Sequence, residues 1–141
     1  MSYPNTVNEV IDESAQYPQP VIDAVTQFKN SNPWRGTAEE RKIKFQLLHD
    51  SLCQIYEKDV TLLFSDIRIP APKGSSGSSS YSPYEKVITI RNKLSVVTYT
   101  HEFGHALGFN ERQACHWSLN LFKQVFPEKY AKLNHVNHTV Q

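Results

Sequence analysis

Methionine is almost missing from this chain of 141 residues, Met1 being the only one. Cysteine is scarce as well: Cys53 and Cys115 permit one bridge at most, which excludes a disulfide scaffold and fits a reducing compartment. No sign of charge dominates, since 15 Lys and Arg stand against 14 Asp and Glu, a formal net charge of +1. Without a basic field there is no electrostatic footprint for nucleic acid, and no nucleic-acid partner is expected. No apolar run is long enough to cross a bilayer, so no membrane partner is expected either. The opening "MSYPNTVNEV" lacks the basic region and apolar stretch of a secretory signal, and the expected location is cytoplasmic. Internal repeats are lacking too, so residues 1–141 are expected to form a single domain.

Helical and strand signals alternate along the chain. "TVNE" from Thr6 fits a capping box for a short first helix, which Pro18 and Pro20 interrupt. A second short helix places Val21, Val25 and Phe28 on one side. Thr37 and Glu40 form another capping box, ahead of a helix from about Ala38 to Glu57 with Phe45, Leu48, Leu52 and Ile55 as its apolar stripe. His49 and Cys53 lie on or near that stripe and read as structural. The run Arg41, Lys42 and Lys44 is mixed with Glu39 and Glu40 and reads as a solvated face. "VTLLFSDIRIP" and "KVITI" read as strands. Between them, residues 72–84 are rich in Gly and Ser and read as a flexible loop. A helix starting near Leu94 or Ser95 puts Val96, Thr100, Phe103 and Leu107 on one side. Gly108 is placed to end it, and Asn110 with Gln113 to cap the next helix, which carries Ala114, Trp117, Leu121 and Phe122 and fades before Pro127. The fold class implied is α+β.

The chemistry concentrates in "HEFGH". His101 and His105 are one helical turn apart and project from the same face, where two neutral imidazoles can share one zinc ion. Glu102 sits on the neighbouring strip, from which a carboxylate can act as general base without binding the metal. Two histidines do not complete a catalytic zinc site, which takes three protein ligands and leaves a further position open. Glu111, in the first turn of the following helix, is the leading third ligand. His116 is its chemical rival. Cys115, His135 and His138 are further possibilities. For stabilising a developing oxyanion, His116, Tyr130 and His135 are polar candidates downstream, and Tyr81 and Tyr84 on the loop.

These residues resemble the gluzincin branch of zinc metallopeptidases, in particular the compact ImmA/IrrE-like phage and bacterial enzymes. "HEFGH" matches the H-E-x-x-H helix, and "ERQACHWSLNLF" matches the later glutamate-bearing helix through Glu111, Ala114, Trp117, Ser118 and Leu121. The segment from His105 to Glu111 is shorter here than is common in that family. The resemblance covers about residues 66–127. It implies a zincin-like α+β fold: a small sheet packed against the N-terminal helix and the active-site helix, then a glutamate-bearing helix. It implies Zn2+ as cofactor, His101, His105 and Glu111 as ligands, Glu102 as general base, and a strand lining the cleft. "HEFGHALGFNE" is also similar to the metzincin motif, but that branch needs a methionine below the metal.

The function expected is a zinc-dependent endopeptidase acting on a protein or peptide substrate. Two alternatives remain open. One is a catalytically silent binding or regulatory module stabilised by zinc. The other is a metal hydrolase for a non-peptide amide.

Overall fold

The computed structural model describes residues 15–65, 79–91 and 94–132. The capping box at Thr6, His135 and His138 lie outside them. Helix α1 spans Gln19–Asn30 and starts after Pro18, with Pro20 in its first turn, where a missing N–H costs nothing. Helix α2 spans Ala38–Tyr56; the side chain of Thr37 accepts from the N–H of Glu40, and that of Glu40 from the N–H of Thr37. Both helices turn their apolar sides inward. Val21, Val25 and Phe28 meet Phe45, Leu48 and Leu52, with Phe28 edge-on to Phe45 at 5.0 Å between ring centroids.

Three strands follow: β1 at Thr61–Ser65, β2 at Ser80–Ser82 and β3 at Val87–Arg91. The sheet order is β1-β3-β2, with β1 parallel and β2 antiparallel to β3. Leu62, Ile88 and Ile90 alternate with less buried neighbours and face the core. The stretch 72–84 is therefore not loop throughout. Residues 72–78 lie outside the described part, and Ser80–Ser82 pairs with Thr89, Ile88 and Val87. A three-residue polar strand has no hydrophobic alternation to announce it; the ladder to β3 makes it a strand.

Helix α3 spans Val96–Ala106, capped by the Ser95 hydroxyl, and α4 spans Glu111–Val125, capped by the reciprocal pair Asn110 and Gln113. The helix expected to fade before Pro127 ends there, but Pro127 opens one more short helix, α5 at Pro127–Ala131. The result is a compact α+β fold in which a small mixed sheet packs against helices: α3 lies along β2 and β3, and α2 meets β1. One hydrophobic cluster joins these elements, with Tyr99 and Phe103 of α3 fully buried at its centre. Phe103 stacks on Trp117 of α4 at 6.1 Å. Burying a large apolar side chain stabilises by about 1.5–3 kcal/mol relative to leaving it exposed, so these contacts fix where α3 and α4 sit.

Candidate metal centre

Two local features bring the ends of α3 and α4 together. Gly104 lies so close to α4 that a Cβ there would stand 3.2 Å from both Cα and Cβ of Ala114. Gly108 has φ of 99°, a left-handed conformation that glycine adopts without strain and that turns the chain between the helices. Phe109 then donates its N–H to the Gly104 carbonyl and packs against Trp117. This tight turn places Glu111 beside the two histidines.

His101, His105 and Glu111 converge. The two Nε2 atoms are 3.2 Å apart. His105 Nε2 lies 2.5 Å from Glu111 Oε1, and His101 Nε2 lies 3.3 Å from Oε2 and 3.4 Å from Oε1. The Nδ1 of His105 is 2.9 Å from the Phe109 carbonyl, which only accepts, so Nδ1 carries the proton. The Nε2 of the same ring faces Glu111. On His101, Nδ1 faces Cys115 Sγ at 3.5 Å. Glu111 Oε2 is buried without a hydrogen-bond partner. Two imidazole nitrogens and a carboxylate converge here, a donor set that a cation can satisfy. The Nδ1–H of His105 on the Phe109 carbonyl fixes the orientation of that ring.

A second grouping overlaps the first. His101, Glu111 and Cys115 each offer one ligand atom, all within 4.8 Å of one another. This buried His/Glu/Cys cluster can chelate a metal ion, and Zn2+ suits nitrogen, oxygen and sulfur donors alike. Cys115 lies on the Nδ1 edge of His101, whereas His105 lies on the Nε2 edge.

The cleft over these residues has a volume of about 470 Å³; Ser80, Tyr81 and Pro83 of the β2–β3 hairpin form its opposite wall. The His101 side chain is nearly closed off, and those of His105 and Glu111 are partly open to solvent. Burial lowers the His101 pKa, against the raising effect of the Glu111 charge. Glu102 is 6 % exposed, and burial pushes its carboxyl up to about 7. The Glu111 charge acts in the same direction, while His105 and a hydrogen bond from the Tyr81 backbone N–H oppose it.

The other residues named from the sequence fall elsewhere. His116 is not among the residues that line the cleft. Tyr84 is fully exposed at the hairpin turn, and Tyr130 sits under Lys123 on α5. Tyr81 does line the cleft, with its ring against the core. The two backbone contributors, the Phe109 carbonyl and the Tyr81 N–H, carry no side-chain signal by which a sequence could reveal them. Cys53 and Cys115 are both free thiols. Among the described residues, no helix is long and apolar enough to cross a membrane. No protein-family model, curated protein or solved structure matches this chain.

Proposed function

We propose that this chain is a zinc-dependent hydrolase of amide bonds, with a zincin-like arrangement of its helices and sheet and a peptide bond of a protein or peptide as its target. The observation that carries this reading is the convergence of two imidazole nitrogens and one carboxylate in an open cleft, with a fourth, buried acid beside them. His101, His105 and Glu111 would hold the ion. Bound there, zinc supplies Lewis-acid polarisation of a carbonyl and makes a water easier to deprotonate.

The remaining chemistry belongs to Glu102. Its carboxyl, held near neutrality by burial, can take a proton from water entering the cleft and return it to the departing amine. The Tyr81 N–H orients it. β2 is an outer strand of the described sheet and lines the same cleft. An edge strand offers backbone groups to an extended peptide, which favours a peptide over other amides. Two free thiols fit a reducing, cytoplasmic setting.

The test is Glu102→Gln. Zinc binding should survive, and cleavage of a peptide library should fall by about 10²–10⁴-fold, the usual contribution of a general base. Equal cleavage by both proteins would remove Glu102 from the mechanism.

A second reading has its own support. The His101/Glu111/Cys115 cluster, with Cys115 fully buried, favours a closed structural site in a zinc-stabilised binding module. On that reading neither protein cuts any peptide, while zinc raises the melting temperature of both. Cleavage of small acyl amides with peptides left intact would instead assign a non-peptide amide as substrate.

A further inference from the structure

A second cleft lies at the other end of α4. Glu111 opens that helix and Phe126 caps it, 15 residues later. At 1.5 Å per residue the two ends are about 22 Å apart, so this cleft is separate from the metal centre. It encloses about 270 Å³ between the α1–α2 turn and α5. Trp34 forms its aromatic surface, 40 % exposed and edge-on to buried Phe126 at 5.3 Å. Three cations line it, Lys29, Arg35 and Lys129, against the single anion Glu128. Among the described residues none of these cations has an ion-pair partner. The Lys129 ammonium instead sits over the Trp34 ring, 4.6 Å from its centroid.

The turn that presents these groups is held in place. Lys44 Nζ donates to the carbonyls of Asn32, at 2.9 Å, and Arg35, at 3.2 Å. Asn32 and Gly36 adopt left-handed backbone at either end of it, with φ of 56° and 101°. An exposed tryptophan on a fixed turn, beside cations that have no ion-pair partner among the described residues, has the composition of an interface anchor.

We propose that this cleft is a docking site for an acidic peptide segment of a protein partner. Charge complementarity selects the occupant. Carboxylates can pair with Lys29, Arg35 and the open side of Lys129, while the exposed part of Trp34 accepts an apolar neighbour. Glu128 inside the rim disfavours a densely charged polyphosphate. The chain's near-neutral total charge gives no wider basic track for nucleic acid to follow.

The site is independent of the hydrolase reading, and its test measures binding alone. Hexaglutamate is titrated into the full chain while tryptophan fluorescence is followed. Trp34 is open to the probe and Trp117 is only 8 % exposed, so Trp34→Phe should remove the signal. The expected result is a saturable change, reversed by raising the salt. The doubly reversed Arg35→Glu/Lys129→Glu protein should bind about tenfold more weakly or worse. Lys29→Glu should weaken binding in the same direction, and inorganic phosphate at the same concentration should not compete. The proposal is overturned by the absence of a saturable signal, by equal affinity in the charge-reversed proteins, or by competition from phosphate, which would make the cleft a small-anion site.

Discussion

Two histidine clusters flank α3, and they differ in where their lone pairs go. On one face His49 is 1 % exposed, with both ring nitrogens occupied by protein. Its Nε2 donates to the Val60 carbonyl at 2.6 Å, and its Nδ1 is 2.8 Å from the Tyr99 hydroxyl. Cys53 closes the group, 3.4 Å from Nε2. On the other face His101 and His105 direct Nε2 at one another and at Glu111. Both clusters hold buried histidine with a nearby cysteine. Only the second places a carboxylate against two ring nitrogens, and its His101, His105 and Glu111 line a cleft. Burial of a histidine alone therefore does not distinguish the two clusters; what differs is a carboxylate shared by two ring nitrogens beside a cleft.

That contrast breaks most readily at the ligands. His105→Ala should lower zinc affinity by more than the about 10–100-fold that an outer contact is worth, as read by competition with a chromophoric chelator. His49→Gln should leave zinc affinity unchanged. If His49→Gln costs as much affinity as His105→Ala, the two clusters are not distinct.

Stability should separate them in the opposite sense. His49→Gln disturbs a satisfied buried network and should cost about 1–3 kcal/mol in denaturant unfolding of the metal-free protein. His105→Ala removes a partly exposed ring at the cleft surface and should cost less.

The pH dependence sharpens the same point. Burial lowers the folded-state pKa of His49 below its ordinary 6.5. Above 6.5 neither folded nor unfolded His49 binds a proton, and it contributes no slope. Below 6.5 the unfolded chain takes up a proton that the folded protein refuses, so stability falls as pH drops toward the folded value. His49→Gln should flatten that fall in the metal-free protein. An unchanged slope would mean that His49 is not held neutral.

The smallest expected effect is at the helix cap. Asn110 accepts from the Gln113 N–H at 2.8 Å, so Asn110→Ala should cost about 1 kcal/mol. Because that cap also anchors the first turn of α4, zinc affinity should weaken with it, whereas Thr37→Ala, at the matching cap of α2, should leave affinity alone.

Much of this geometry was legible from local signals. The one-turn spacing of His101 and His105, the stop at Gly108 and the capping pair Asn110–Gln113 are short-range features, and each appears where it was expected. His49 and Cys53, read as structural, sit in the satisfied network. What escaped depends on partners distant in sequence or on backbone atoms. β2 exists because β3 offers it a ladder. The Glu102 environment depends on a Tyr81 amide that any residue but proline could supply. Cys115 was one of several possible ligands by sequence; its position on the Nδ1 edge of His101 comes from the close approach of α3 and α4 at Gly104.

X-ray absorption at the zinc edge of the loaded protein tests the central claim most directly. The proposed centre predicts one ion per chain with only nitrogen and oxygen neighbours at about 2.0–2.2 Å, including two imidazoles. A sulfur neighbour at about 2.3 Å would place Cys115 on the metal and contradict the His101, His105 and Glu111 set, and a chain that retains no zinc would contradict the centre itself.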